Sequence, residues 1–123
     1  MEMEVLVDTS SILFGFVNKR NVFESLRDSM PDHMQIISKG VVRELEKFAN
    51  SKMKMRPEAA IALAYITSSN IHIDDSSEYV DAWIEKRSEK NGSAVCTNDI
   101  KLKRGLKSVG VNVVSISRSG KIR

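Results

Sequence analysis

The sequence predicts an α/β domain of three layers, α/β/α, with a central parallel β-sheet between helices. Five short runs rich in Val and Ile alternate with stretches in which apolar residues recur at helical spacing. Such alternation is typical of parallel strands joined by crossover helices. The 123 residues, 41% of them apolar, are enough for one compact core and too few for two. We therefore expect a single domain over residues 1–123.

The elements are predicted in chain order, with strands over residues 4–8, 35–38, 71–74, 94–97 and 111–117. After the second strand, Val41, Leu45 and Phe48 recur on one face of a helix. Pro57 stands where the next helix can begin, since proline is favoured in a first turn.

The last two helices carry boundary signals. Asp75 and Glu78 have the spacing of a capping box ahead of Val80. Gly110 can end the final helix. The apolar face of that helix is formed by Leu102, Leu106 and Val109.

Residues 59–66 are apolar around the whole circumference of a helix. One face can cover the sheet, and the other needs a second cover. Another helix or a second copy of the chain could supply it. Because few helices remain for that role, we favour a homodimer.

Composition excludes several classes of protein. The acidic start, Met1-Glu2-Met3-Glu4, is unlike a basic secretory signal, and the longest apolar run is far shorter than a membrane span. We therefore expect a soluble cytoplasmic protein with no membrane contact. The single cysteine, Cys96, cannot form an internal disulfide, and its apolar neighbours predict a buried side chain.

Charge is divided unevenly along the chain. Residues 100–123 contain seven basic side chains and no acidic ones, whereas residues 1–99 contain 12 basic and 16 acidic ones. An ordinary solvated surface can show such segregation. A basic segment can also bind the phosphates of nucleic acid.

Two carboxylates follow predicted strands at the carboxyl edge of the sheet, where ligands bind in this class of fold. Asp8 follows Val5-Leu6-Val7, and Asp99 follows Val95-Cys96-Thr97-Asn98. Each could instead cap the next helix, as could Asn98. A receiver domain of the same architecture would need clustered acids after the first strand, and Asp8 stands alone there.

Two further carboxylates lie early in the helices that follow the second and third strands. Glu44 could form a surface ion pair with Lys47, and Asp81 could complement a positive helix terminus. The topology nevertheless brings all four acids to one rim. Their mutual repulsion would raise their pKa values unless a cation lay between them. Mg²⁺ or Mn²⁺ suits such oxygen ligands, whereas one cysteine and two histidines give little support for zinc.

The chain resembles the PIN domain family of metal-dependent nucleases through four motifs in order. They are Val7-Asp8-Thr9-Ser10, Val41-Val42-Arg43-Glu44-Leu45, Val80-Asp81-Ala82-Trp83-Ile84 and Thr97-Asn98-Asp99-Ile100-Lys101-Leu102. The family often has a second acid where this sequence has Ala82. The resemblance implies a strand order of 3-2-1-4-5, with Asp8 and Asp99 side by side.

The resemblance also implies an endoribonuclease. The family contains toxins of the VapC type, which pair with an antitoxin protein, and nucleases that mature ribosomal RNA. The closing residues 113–123 are more similar to the second branch. The alternative is a catalytically inactive PIN-like module that binds RNA or a protein partner.

We expect one or two Mg²⁺ or Mn²⁺ ions at Asp8, Asp81 and Asp99, with Glu44 binding directly or through water. An activated water would then hydrolyse an RNA phosphodiester bond. Side chains that could orient the ligands or that water, or equally cap helices, are Ser10, Thr97 and Asn98. Basic side chains expected to bind RNA phosphates are Lys101, Lys103, Arg104, Lys107, Lys52, Lys54 and Arg56.

Overall fold

The computed structural model describes residues 3–52 and 54–123, so Met1 and Glu2 of the acidic start lie outside it. Within these residues a five-stranded parallel sheet has the order β3-β2-β1-β4-β5. This confirms the predicted strand order. The strands are β1 (Met3–Val7), β2 (His33–Ser38), β3 (His72–Asp74), β4 (Ala94–Cys96) and β5 (Val113–Val114).

Helices flank both faces of the sheet. The first four contact one another, and α5 and α6 pack on β4 and β5 respectively. Right-handed crossovers place α1–α4 on one face and α5 and α6 on the other, which confirms the three layers. The helices are α1 (Thr9–Val17), α2 (Val22–Ser29), α3 (Lys39–Ala49), α4 (Arg56–Thr67), α5 (Val80–Asn91) and α6 (Ile100–Ser108).

The two central strands form the middle of the core. Val5, Leu6 and Val7 of β1 are fully buried, and Val7 pairs with Cys96 of β4. Strand β1 is followed by helices on one face and β4 by a helix on the other. The chain therefore leaves the carboxyl ends of β1 and β4 in opposite directions, which opens a crevice between them.

Some predicted boundaries are wrong, each for a reason that the structure shows. Strand β5 is shorter than residues 111–117 because the chain beyond it turns back, and Ile116 forms an antiparallel bridge with Ile122. Val109 is 75% exposed, since α6 ends at Ser108. The expected capping box does not form. Asp75 pairs with Lys39 at 2.6 Å, and α5 begins only at Val80.

Helix α4, which covers the apolar run 59–66, packs on α3 and α1. Its buried residues are Ala59, Ala62 and Ile66, while Ile61 remains 54% exposed. Tyr65 stacks on Phe23 of α2, with ring centroids 5.4 Å apart. Neighbouring helices thus provide much of the second cover, and the homodimer stays a prediction.

A network of ionic hydrogen bonds fixes α5 on the sheet. Arg87 donates from Nε and Nη2 to the two carboxylate oxygens of Glu4, at 3.0 and 2.8 Å, and from Nη1 to Asp74 at 2.8 Å. The indole N–H of Trp83 donates to the same Asp74 oxygen at 2.8 Å. Because α5 carries Asp81 in its first turn, these bonds also fix where Asp81 can lie.

Gly40, in the first turn of α3, allows the segment before α5 to approach closely. A Cβ at Gly40 would lie 2.7 Å from the Glu78 carbonyl oxygen. We expect Gly40→Ala to lower the free energy of unfolding by about 1–3 kcal/mol, because a backbone atom cannot move aside as a flexible side chain can. Urea denaturation measures this change.

Gly105→Ala is the matched control, since a Cβ there would meet nothing within 4 Å. Gly105 lies inside α6, where alanine is favoured over glycine by about 1 kcal/mol. The control should therefore raise stability. A neutral Gly40→Ala would show that the segment before α5 does not pack on α3 in this way.

Candidate metal centre

All four predicted carboxylates line one cavity of about 860 Å³. Asp8 and Asp99 are the N-cap residues of α1 and α6; Asp8 directly follows β1, and Asp99 is the third residue after β4. Glu44 lies in the second turn of α3, and Asp81 in the first turn of α5. The acids thus come from four separate βα connections and meet at the carboxyl edge of the sheet.

Asp8 is held by hydroxyl groups and does not act as a side-chain cap. It is 5% exposed, and its carboxylate accepts no cap hydrogen bond from α1. Ser10 Oγ and Thr97 Oγ1 donate to the same oxygen, Oδ2, at 2.6 and 2.7 Å. Ser10 lies in the first turn of α1 and Thr97 directly after β4, so the orientation of this carboxylate is determined by the segments that follow these two strands.

The pKa values of two of the acids reflect crowding. Burial raises the pKa of Asp8, and the negative charge of Asp81 raises it further, although the Ser10 and Thr97 hydrogen bonds act in the opposite direction. Burial likewise raises the pKa of Glu44, with additional contributions from the charges of Asp8 and Asp81. The three carboxylates are therefore close enough to repel one another.

Glu44 faces Thr9 at the start of α1. The Thr9 hydroxyl lowers the pKa of Glu44, yet Thr9 Oγ1 is buried without a hydrogen-bond partner of regular geometry among the described residues. Lys47 lowers that pKa only weakly and forms no ion pair with Glu44 in the described part of the chain. Glu44 is thus directed to the cavity and not to a surface ion pair.

Asp99 caps α6, which is one of the two roles that the sequence left open for it. Its Oδ1 accepts from the Leu102 N–H at 3.0 Å, and its own N–H donates to Thr97 Oγ1 at 3.1 Å. This leaves Oδ2 of Asp99 outside the cap. Asp81 lines the same cavity and is exposed. Both of these acids are more accessible to solvent than Asp8.

The donor set fits a hard divalent cation. Carboxylates and the unpartnered Thr9 hydroxyl supply only oxygen, which Mg²⁺ and Mn²⁺ prefer. Over residues 3–52 and 54–123, no three His, Cys, Asp or Glu side chains converge closely enough to hold a metal ion as they stand. A bound cation would offset the repulsion among the acids and favour rotation of the exposed ones toward it.

The remaining polar side chains predicted here have separate contacts. Ser10 and Thr97 bind Asp8 directly, as described above. Asn98 instead joins two loops: its Oδ1 accepts from Ser11 Oγ and the Ile116 N–H, and its Nδ2 donates to the Ile116 carbonyl. Asn98 therefore holds the segment after β5 against the site.

The basic side chains predicted to contact RNA lie outside the cavity. Lys103 is half-buried and donates to Ser115 Oγ at 2.9 Å. The others are exposed: Lys101, Arg104, Lys107, Lys52, Lys54 and Arg56. Among the described residues that line the cavity, the cation is Lys47, which the sequence had suggested only as a partner for Glu44.

Sequence reasoning also missed an apolar wall of the same cavity. Its members are Leu13, Phe14, Val17, Phe48 and Met55. On α1 and α3 they recur at the spacing of one helix face that begins at a site residue, Ser10 or Glu44. That periodicity was readable, but the pairing of α1 with α3 across a cavity was not.

No helix among the described residues is both long and apolar enough to cross a membrane. Cys96, beneath the site, is fully buried, as expected from its neighbours. Burial raises the pKa of its thiol to about 12.

Comparison with proteins of known sequence gives two results. Residues 5–119 match the family described as "PIN like domain". Ribonuclease VapC9 of Archaeoglobus fulgidus is 29% identical over 108 residues, which span 88% of this chain and 78% of that protein.

Solved structures give the same picture. The PIN domain endonuclease Utp24 superposes with a TM-score of 0.75 at 27% identity, over 99% of this chain and 90% of that one. A domain of a functionally unknown protein from Methanocaldococcus jannaschii superposes with a TM-score of 0.69 at 22% identity, over 94% and 91% of the two chains, and shows a similar fold. With a family match that spans nearly the whole chain, this protein belongs to the PIN-like domain family.

Proposed function

We propose that this protein is a metal-dependent endoribonuclease. The observation that carries the proposal is the cavity into which four βα connections bring Asp8, Glu44, Asp81 and Asp99. The chain is similar to a ribonuclease and to an endonuclease, in each case over most of the two chains compared, and this similarity supports the same activity.

Asp8, Asp81 and Asp99 would hold one or two Mg²⁺ or Mn²⁺ ions, with Glu44 binding directly or through water. When bound, such an ion lowers the pKa of water and neutralises negative charge that develops on a phosphate. The thiol of Cys96 is buried and protonated, so it cannot serve as a nucleophile instead.

The chain's own residues determine how the acids are presented. Ser10 and Thr97 hold Asp8 through Oδ2, and the helix cap holds Asp99 through Oδ1. Each acid thus keeps one oxygen outside these bonds. Two ligand positions are prearranged in this way, which lowers the entropic cost of assembling the site.

Basic side chains near the site would attract RNA to an otherwise acidic pocket. Lys101, Arg104 and Lys107 are exposed on α6, whose N-cap residue is Asp99. Phosphate contacts of this kind position RNA without reading its sequence.

We expect Arg104→Gln and Lys107→Gln each to weaken RNA binding uniformly across sequences. Each should also reduce the slope of log affinity against log salt by about one, because one fewer counterion is released. Lys90→Gln at the end of α5 is a control with the same change of charge. Equal effects from all three variants would mean that net charge, and not a track on α6, attracts the RNA. Fluorescence anisotropy at several salt concentrations measures the slope.

Incubation of the purified chain with a 5′-labelled single-stranded RNA tests the activity. We expect cleavage with Mn²⁺ or Mg²⁺ and none in EDTA. RNA binding without cleavage in either metal would identify the inactive binding module instead.

The branch of the family is a second part of the proposal. If the RNA that this chain cuts is needed for growth, an antitoxin would be expected, as with a VapC-type toxin. Growth that stops when expression is induced, and that continues when Asp8→Asn is expressed instead, would support the toxin. Unchanged growth would support an RNA-maturation role.

A further inference from the structure

The cavity extends well beyond the acids, along α1 and α3. Each helix presents one face to it, at the spacing i, i+3, i+4 and i+7. These faces are Ser10, Leu13, Phe14 and Val17 on α1, and Glu44, Lys47 and Phe48 on α3, with Ser51 just beyond the end of that helix. Phe48 lies roughly 6 Å along the helix axis from Glu44, since a helix rises about 1.5 Å per residue.

The apolar wall packs against the core and is open to the cavity. Phe14, Phe48 and Met55 are half-buried and pack against the core. Val17 is 49% exposed. A flat aromatic ring is a suitable ligand for such a surface, because it buries apolar area by stacking and loses little conformational entropy.

We propose that this wall is a binding site for an unpaired nucleobase of the RNA, next to the phosphate that is cut. The proposal rests on the endoribonuclease function. The wall and the carboxylates belong to one continuous cavity, and only a ribose separates a base from its phosphate. The exposed Lys47 lies between Glu44 and Phe48 along the same face, where it can meet the RNA backbone.

A base pocket of this kind would select single-stranded RNA. A base in a duplex is stacked and paired, and it must be unstacked before it can lie on a protein ring. A helix of a protein partner could also cover the apolar residues and pair basic side chains with the acids, so it is the alternative that the test must separate from RNA. Lys47 on the same face, and a cation held by the acids, would both meet the phosphates of a nucleotide, which favours RNA as the occupant.

A short single-stranded RNA that contains 2-aminopurine, whose fluorescence falls on stacking, tests the pocket by titration with the full chain in EDTA. We expect quenching by wild type and by Phe48→Trp. Phe48→Leu keeps the apolar volume but removes the ring, so it should lose the quenching and bind roughly 5- to 100-fold more weakly. The same strand in a duplex should not be quenched.

Two other variants guard against misfolding. Val17→Ser alters a half-exposed side chain of the wall and should also reduce the quenching. It replaces Phe48→Leu in the experiment if that variant melts at too low a temperature to be used. Ile61→Ser is the control, since Ile61 is similarly exposed but lies on α4 outside the cavity. It should leave quenching and affinity unchanged.

Cleavage by the same variants with Mn²⁺ separates this proposal from the function on which it rests. Cleavage by wild type with equal fluorescence in wild type and Phe48→Leu would overturn the base pocket and leave the nuclease standing. Quenching that depends on Phe48 in a chain that never cleaves would support the pocket and overturn the nuclease. Self-association that Phe48→Leu abolishes, with RNA binding unchanged, would show that the wall covers a second copy and overturn the pocket.

Discussion

Asp8→Asn is expected to lower the rate of RNA cleavage by more than roughly 100-fold, since even partners of a metal ligand usually cost 10- to 100-fold when removed. Asparagine keeps the volume of the side chain. Its carbonyl oxygen can still accept from Ser10 and Thr97, at the position of Oδ2. The substitution therefore removes one negative charge and little else. Single-turnover cleavage of a labelled RNA, at saturating Mn²⁺ and in a metal titration, measures the loss.

Asp28→Asn provides the matched control for this experiment. Asp28 is exposed on α2 and lies outside the cavity, so the same chemical change there should leave cleavage unaltered. Near wild-type rates in Asp8→Asn would show that Asp8 is a structural residue. The proposed metal centre would then have to be abandoned.

The fold was predictable because its signals are local and repeated. Residues 5–7 of β1 and the whole of β4 are continuous apolar runs, as strand segments buried on both faces must be. The ends of elements were harder to place. Asp75 and Glu78 satisfy the capping-box spacing, yet Lys39 on another element pairs with Asp75 and α5 starts later. A tertiary ion pair of this kind leaves no trace in a sequence window.

The site was predictable to the level of which residues share an edge of the sheet. Topology alone brings Asp8 and Asp99 together, because the strands before them are neighbours. The hydrogen bonds of each acid could not be predicted from the sequence. Asp8 accepts from two hydroxyls, while one oxygen of Asp99 accepts the helix-cap hydrogen bond. Packing of α1 against α3 decides which residues form the apolar wall, and pairwise helix contacts cannot be read from periodicity.

Crowding of the acids also predicts a stability that depends on pH and metal. The pKa of Asp8 is raised above its ordinary 3.8, so the folded state holds this proton more tightly than the unfolded state does. Stability due to this group is therefore highest below about pH 4, falls as the pH rises through the raised pKa, and stays low above it. Glu44 acts in the same sense. Glu4 and Asp74, whose pKa values are lowered, act in the opposite sense.

Comparison of wild type with Asp8→Asn isolates the contribution of Asp8, since the other groups are common to both. In EDTA we expect Asp8→Asn to unfold at a higher temperature near pH 7, with the difference vanishing below about pH 4. Mg²⁺ or Mn²⁺ should stabilise wild type by about 2.7 kcal/mol at a hundredfold excess over its dissociation constant, and Asp8→Asn much less. Asp28→Asn should respond to metal as wild type does. Thermal melts that instead rank Asp8→Asn below wild type in EDTA, with no response of either to metal, would mean that the Asp8 carboxylate stabilises the fold directly and binds no cation.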